Sequence, residues 1–256
     1  MSEESFRRSN QAADTGRVIF ITGTDTGAGK TLLTALLLHH LRGRGRLAMA
    51  MKPFCSGGTH DVDVLSRLQD GELSREEICP YPYAEPVAPL VAARKHRRQI
   101  LLGDVVGRVR RIQRRCKILL IEGSGGLMVP LGEGFLVADL IASLQCHVLI
   151  AAPNRLGVIN HALLTARTLD LYGVSKMKVA LMGRRARDLS TRTNGAVLAE
   201  LLAPVAVVGV PFLGKRADKA GAVKARCKKV EKILAQILDF DTFCPLFKRS
   251  GKRLSK

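Results

Sequence analysis

Short apolar runs alternate with amphipathic stretches along most of this chain. Runs rich in aliphatic and β-branched residues predict strands at residues 17–23, 48–52, 117–121, 147–152, 178–182 and 205–210. Apolar residues at helical spacing predict helices between them, at residues 30–42, 61–65, 101–116, 137–144, 157–172 and 194–202. This alternation predicts an α/β fold, with a mostly parallel sheet flanked by helices on both faces. Ligands of such folds bind beyond the carboxyl ends of the strands.

One stretch interrupts the pattern. Residues 79–89, CPYPYAEPVAP, contain four prolines. Proline lacks the backbone N–H that helices and central strands use. We therefore expect residues 79–89 to form a long ordered loop without regular structure.

The length and composition favour a single domain. A chain of 256 residues with 46% hydrophobic content can build one large α/β core. We expect this domain at residues 17–238, with a polar N-terminal extension at residues 1–16 and a basic tail at residues 239–256. The leading residues have no apolar stretch, and no apolar run is long enough to cross a membrane, so we expect a soluble cytoplasmic protein.

The chain is strongly basic, with 41 Lys and Arg against 22 Asp and Glu and a formal charge of +19. Such an excess raises nucleic acid as a partner. However, the chain has no helix-turn-helix, RNP or zinc-finger pattern, only 4% aromatic residues and no Trp. A generally basic proteome or solvated helix faces explain the charge better, so we expect no nucleic-acid partner. The six cysteines form no C-x-x-C pair and indicate neither a zinc site nor a disulfide framework.

The nine residues GTDTGAGKT, at positions 23–31, lie between the first strand and the first helix. A glycine-rich turn in this position presents backbone N–H groups to phosphate oxygens, and the helix N-terminus adds partial positive charge. Lys30 and Thr31 have the positions of the P-loop lysine and of its magnesium-binding hydroxyl. The first glycine of the motif is displaced, however, because Gly23 precedes the expected position and Thr24 occupies it.

Further candidates follow the strands. Magnesium on nucleotide phosphates takes one or two carboxylates, and Glu122 directly follows the strand at residues 117–121. Asp61 and Asp63 both follow the strand that ends in Lys52, and the pattern leaves open which of them binds metal. Lys52 lies at the same edge as the P-loop, where a second cation can act on a transferred phosphoryl group.

These motifs, with the blocks KPFCSG, PYPYAEPVAP, IEGSGGLMVPL and RLGVINHALLTA, resemble the dethiobiotin synthetase family. The resemblance covers residues 18–213, and the family shares the P-loop form G-T-D-T-x-x-G-K-T with the displaced glycine. It implies a P-loop NTPase fold and an ATP- and Mg²⁺-dependent cyclo-ligase in biotin synthesis, acting on 7,8-diaminononanoate and CO₂ or bicarbonate. In the family, one amine takes up CO₂ as a carbamate that attacks the γ-phosphate and displaces ADP, and the second amine closes the ureido ring by expelling phosphate.

The resemblance also implies roles for individual residues. Lys52 and Lys30 are implied to be catalytic, and Thr31, Asp63 and Glu122 to hold the metal. The implied nucleotide contacts are Gly27, Ala28, Gly29, Lys30, Thr31, Leu32, Asp63, Glu122, Gly123, Ser124, Gly125, Pro211, Phe212 and Leu213. The implied substrate contacts are Thr26, Ser56, Gly157, Val158, Ile159 and Asn160, the last four reaching across the interface of a homodimer.

One departure from the family concerns the base. Where the family usually has asparagine after the strand at residues 178–182, this chain has Gly183 and Arg184. Glycine offers only its backbone, so we expect looser discrimination among nucleoside triphosphates.

Three alternative functions remain to be compared with this one. A partition-type ATPase that binds DNA carries a signature lysine early in its P-loop, where this chain has Thr24, Asp25 and Thr26. A cobyrinate-type amidating ligase needs a glutaminase domain, which the roughly 45 residues after Val210 cannot hold. A non-enzymatic nucleotide-binding module would bind without turnover.

Overall fold

The computed structural model describes residues 16–186 and 188–240. The predicted N-terminal extension, apart from Gly16, lies outside the described residues, as do residues 241–256 of the predicted tail. Cys244 lies outside them too, and the other five cysteines are free thiols.

The strands are β1 (Arg17–Gly23), β2 (Ala48–Met51), β3 (Phe54–Ser56), β4 (Tyr81–Tyr83), β5 (Ile118–Glu122), β6 (Pro130–Gly132), β7 (Phe135–Leu136), β8 (His147–Pro153), β9 (Met177–Met182) and β10 (Val207–Val210). Six of them form one sheet in the order β10-β9-β8-β1-β5-β2, with every neighbouring pair parallel. Strand β1 lies inside this sheet, and its residues from Val18 to Gly23 are buried. A central parallel strand is covered on both faces, which explains its continuous apolar run.

The helices are α1 (Lys30–Arg42), α2 (His60–Leu68), α3 (Arg75–Ile78), α4 (Pro89–Lys95), α5 (Leu102–Gln113), α6 (Val137–Leu144), α7 (Val158–Leu171), α8 (Asn194–Leu201), α9 (Ala220–Lys229) and α10 (Glu231–Leu238). The six predicted helices are all present, with ends that differ by a few residues at most positions. Helices α9 and α10 continue the fold beyond the last predicted strand, and α9 packs against α1. The predicted α/β class, a single domain with a mostly parallel sheet flanked by helices, is confirmed.

The prediction for residues 79–89 is wrong in part, because Tyr81–Tyr83 forms strand β4 and pairs with β3. The pair is a separate two-stranded sheet. Tyr81 donates its N–H to Pro53 O at 3.1 Å, and Tyr83 O accepts from Gly57 N at 3.2 Å. Pro82 lies between these bonds, where the ladder needs no N–H from it, and a strand outside the main sheet tolerates proline there. Pro89 begins α4, a position where proline is also accommodated.

Many of the basic side chains between residues 94 and 115 have partners. Arg94 pairs with Glu133 at 2.7 Å, and Arg111 and Arg115 both pair with Glu77. The predicted absence of a nucleic-acid partner stays a prediction. Among the described residues, no helix has the length and apolarity that a membrane crossing requires. The cytoplasmic location also stays a prediction.

The sheet brings the segments that follow β1, β2 and β5 together at the carboxyl ends of these parallel strands. Strand β1 pairs with β5 so that Ile21 lies opposite Glu122, and β2 pairs with β5 so that Met51 lies opposite Ile121. Lys52 follows Met51 and therefore reaches the level of Glu122. The P-loop leaves β1 at the same end.

Candidate active site

A cavity of about 700 Å³ lies at the carboxyl ends of β1, β2 and β5. Most residues predicted for the phosphates, the metal and the reacting groups line it. They are Thr26, Gly27, Gly29, Lys30, Thr31, Leu32, Lys52, Ser56, Glu122, Gly123, Ser124 and Gly125. Parts of the chain that are far apart in sequence therefore meet around one space.

Lys30 lies across the P-loop. Its Nζ donates to Asp25 O at 3.1 Å and to Gly125 O at 3.0 Å. Burial is the main cause that lowers the pKa of Lys30 to about 8; the charge of Lys52 lowers it further, and Glu122 opposes both. A buried ammonium in this position favours an anion beside it.

The displaced glycine of the motif has a steric reason. A Cβ at position 23 would lie 2.8 Å from Asp25 O and 2.9 Å from Lys30 Nζ. Only glycine leaves room for the lysine to cross the start of the loop.

Glu122 connects the P-loop to Lys52. Its Oε1 accepts from Thr31 Oγ1 at 2.7 Å and from Lys52 Nζ at 2.7 Å. Lys52 also forms an ion pair with Asp61. Burial opposes the charge on Lys52, but the carboxylates of Glu122 and Asp61 together raise its pKa above the ordinary value. Burial likewise pushes the pKa of Asp61 upward, and Lys52 outweighs it, so that this pKa is lowered.

The residues here fit a magnesium ion. Oε2 of Glu122 is buried and has no hydrogen-bond partner among the described residues. With the Asp61 carboxylate and the Thr31 hydroxyl, it supplies the hard oxygen donors that Mg²⁺ prefers, and Mg²⁺ usually keeps other positions for phosphate and water. Within the described ranges, no three His, Cys, Asp or Glu side chains are grouped as a metal cluster. Carboxylate and hydroxyl oxygens of this kind are typical ligands of an ion that also binds nucleotide phosphates.

Asp63 does not belong to this group. It forms an ion pair with Arg75 and accepts from Thr59 Oγ1 at 3.2 Å, away from the cavity. Asp61 lines the cavity instead. Two residues apart on a helix point in directions about 200° apart, so only one of the two can face the strand end. The structure therefore places Asp61 at the cavity and Asp63 outside it, and the metal and nucleotide roles stay predictions.

The predicted substrate contacts divide into two sets. Ser56 lines the cavity, and its buried Oγ has no hydrogen-bond partner in the described part of the chain. Thr26 lines the cavity as well. The set Gly157, Val158, Ile159 and Asn160 begins α7 and does not line this cavity. Its predicted role in a second subunit stays a prediction.

A smaller cavity of about 350 Å³ adjoins the P-loop. Its lining includes the predicted base contacts Pro211, Phe212 and Leu213, together with Ala28 and Gly183. A Cβ at position 183 would lie 2.6 Å from Phe212 N and 2.8 Å from Val210 O. The backbone leaves room only for glycine, which explains why no asparagine stands here.

Some cavity residues were not predicted. Gly214, Arg216, Ala217 and Asp218 line the larger cavity, although they follow the last motif at Leu213. Arg155, next to the predicted set in α7, reaches Asp25 of the P-loop at 3.8 Å. Arg155 is the first residue of the block RLGVINHALLTA, and this membership was the available signal.

Known proteins share both the sequence and the fold. A family model described as an AAA domain matches residues 17–215. The ATP-dependent dethiobiotin synthetase of Bacillus velezensis is 36% identical over 200 residues, covering 76% of this chain and 85% of the relative. The chain belongs to the ATP-dependent dethiobiotin synthetase family. The synthetase of Anaeromyxobacter sp. strain Fw109-5 is 43% identical over 169 residues, covering 64% of this chain and 76% of the relative. The resemblance drawn from the motifs is confirmed.

Solved structures agree on the fold. The MinD cell division protein of Aquifex aeolicus has a TM-score of 0.52 at 15% identity, covering 85% of this chain and 98% of that one. A ParA family ATPase from Chlorobium tepidum has a TM-score of 0.52 at 12% identity, covering 88% and 96%. At these identities the likeness confirms the P-loop NTPase fold alone and carries no partition function to this chain.

Proposed function

We propose that the larger cavity is the active site in which the ureido ring of dethiobiotin is formed from 7,8-diaminononanoate and CO₂, with hydrolysis of ATP to ADP and phosphate. The protein is an ATP-dependent ligase that forms carbon–nitrogen bonds in biotin synthesis, as its family membership indicates. One observation carries the assignment of the site: Glu122 bonds both Thr31 of the P-loop and Lys52. The cavity thus joins a phosphate cradle to a second cation.

The P-loop and the carboxylates would hold the nucleotide and the metal. The backbone N–H groups of residues 27–32 and the Lys30 ammonium bind phosphate oxygens. Thr31, Asp61 and Glu122 would hold Mg²⁺, which neutralises charge on the phosphates when bound. The contacts of Gly123, Ser124 and Gly125 with the nucleotide belong to the same proposal.

Lys52 acts as a fixed positive charge. Because the pKa of Lys52 is raised, it keeps its proton and does not serve as a general base. A carbamate and a triphosphate repel each other, so their approach requires positive charge placed beforehand. Lys52 supplies this charge in the cavity that Ser56 also lines, and the Ser56 hydroxyl has no hydrogen-bond partner among the described residues. We assign Ser56 and Thr26 to the carbamate or to the neighbouring amine.

The rest of the substrate lies between two subunits in this proposal. Helix α7 begins after Gly157, and its free N–H groups suit the substrate carboxylate. The nearby side chains of Leu156, Leu164 and Leu171 are exposed. Exposed leucines along one helix are typical of an interface. We therefore propose a homodimer in which α7 of each subunit completes the site of the other.

The proposal is tested by ADP release from purified protein with Mg²⁺ and ATP. We expect release to depend on both the diamine and bicarbonate, because the carbamate is the phosphoryl acceptor. Equal release without the diamine contradicts the proposal. DNA is the control addition, and stimulation by DNA without an effect of the diamine favours the partition-type rival.

A further inference from the structure

The segment between β10 and α9 carries a cation into the active-site cavity. Residues 214–219 have the sequence GKRADK. Arg216 lines the same cavity as Lys30, Thr31 and Lys52, whereas its neighbour Lys215 does not. No motif of the sequence includes Arg216.

One side-chain contact and one buried residue hold this segment in place. Asp218 Oδ2 lies 2.9 Å from His60 Nε2, and His60 begins the helix that carries Asp61. Ala217 is buried with 3% of its surface exposed. Arg216 is therefore followed directly by an anchored residue, and the segment is tied to the helix of a metal-binding carboxylate.

The backbone of Arg216 is itself unusual. Its φ of 57° lies in the left-handed region, which costs free energy for any residue with a Cβ. Such conformations persist where the surrounding structure imposes them, and they concentrate at functional sites.

Arg216 differs from the two lysines of the cavity because its side chain has no partner in the part of the chain that the structure describes, although its backbone O accepts from Lys219 N at 3.2 Å. Lys52 is engaged by Glu122 and Asp61, and Lys30 by two backbone carbonyl oxygens. The guanidinium of Arg216 has no ion pair or hydrogen bond within residues 16–186 and 188–240. It is thus available to an anion.

The charge balance of the proposed reaction calls for such a cation. Glu122 and Asp61 offset the charge of a magnesium ion, which leaves Lys30 and Lys52 against the triphosphate and the carbamate. These two lysines do not balance the negative charge of both reactants. A guanidinium binds phosphoryl oxygens in a bidentate manner and keeps its proton at any working pH.

We infer that Arg216 binds the terminal phosphoryl group of ATP and stabilises the charge on it during transfer to the carbamate. The inference rests on the proposed function for the identity of the acceptor, but not for the contact with the phosphoryl group. A catalytic arginine from the same chain is a known device of phosphoryl transfer. It is here supplied by the segment after β10.

The test compares binding of two ligands by calorimetry in the presence of Mg²⁺. ADP lacks the terminal phosphoryl group, and ADP with aluminium fluoride mimics the group in transfer. For Arg216→Ala we expect an ADP affinity within about twofold of wild type and a loss of about a hundredfold in affinity for the fluoride complex. Arg216→Gly relieves the backbone and removes the cation, so it should match Arg216→Ala. Lys215→Ala is the matched control and should behave as wild type with both ligands.

Turnover gives a second readout. We expect Arg216→Ala to lower kcat by about a hundredfold or more with little change in the KM for the diamine. The inference is overturned when Arg216→Gly binds the fluoride complex as tightly as wild type, or when it loses ADP affinity to the same degree. The two proposals can fail separately. If the diamine does not stimulate ADP release by the wild type, but the Arg216 variants lose affinity for the fluoride complex and not for ADP, the proposed function is overturned and this inference stands.

Discussion

Thr31 donates a hydrogen bond of 2.7 Å from its Oγ1 to Oε1 of Glu122. Thr31 lies in the first turn of helix α1 and Glu122 ends strand β5, so the bond fixes the P-loop against the neighbouring strand. Oε2 of the same carboxylate has no hydrogen-bond partner in the described part of the chain. One oxygen of Glu122 thus orders the site, and the other is the oxygen that our proposal assigns to the metal.

The metal assignment is tested by a pair of substitutions on α2. Asp61→Asn removes a carboxylate that lines the cavity, so we expect the Mg²⁺ concentration for half-maximal turnover to rise by about tenfold or more. Asp63→Asn is the control, because its carboxylate pairs with the exposed Arg75. Its Mg²⁺ requirement should match wild type, and its stability should change by less than about 1 kcal/mol. The opposite pattern in a Mg²⁺ titration restores the assignment to Asp63.

The helix that carries these two aspartates shows where sequence patterns reach their limit. The strand end at Lys52 and the carboxylate after β5 were predictable, since both directly follow buried apolar runs. The choice between Asp61 and Asp63 depends on the phase of a helix that begins eight residues after Lys52, at His60. That phase is set by packing of Val62, Val64 and Leu65 in the core.

Two other features escaped the sequence for different reasons. Residues 81–83 form a strand despite Pro82, because the pairing partner β3 requires no N–H at that position. Arg216 follows the last recognisable motif, and its approach to the cavity depends on the long-range contact between Asp218 and His60. Neither contact leaves a periodic signal in the chain.

Lys52→Ala tests the role of the fixed charge. We expect kcat to fall by about a hundredfold or more, because the charge stabilises the phosphoryl group and the carbamate in the transition state. ADP affinity should remain within a few-fold of wild type, since Lys30 and the P-loop retain the phosphates. Lys95→Ala is a suitable control, as it removes a lysine from an exposed ion pair with Glu85. Equal losses of ADP affinity and of kcat in Lys52→Ala would show that Lys52 is a binding residue.

The crowded backbone at Gly183 leads to a prediction on nucleotide choice. With no side chain there to read the base, we expect kcat/KM for ATP, GTP, CTP and UTP to differ by less than about tenfold. Gly183→Ala should weaken binding of all four to a similar degree, because its Cβ displaces the backbone at Phe212. Competition between the nucleotides, measured with one diamine concentration, decides the point. A preference of a thousandfold for ATP means that other groups in the smaller cavity read the base.

The central claim is that CO₂ is joined to a diamine in the cavity between the P-loop, Lys52 and Glu122, in a reaction that converts ATP to ADP and phosphate. Mass spectrometry of the product formed from ¹³C-bicarbonate, 7,8-diaminononanoate and ATP tests this claim most directly. The account predicts dethiobiotin that carries a single ¹³C atom, with ADP formed in equal amount and neither product in Glu122→Ala. ADP without a labelled ring product would contradict it.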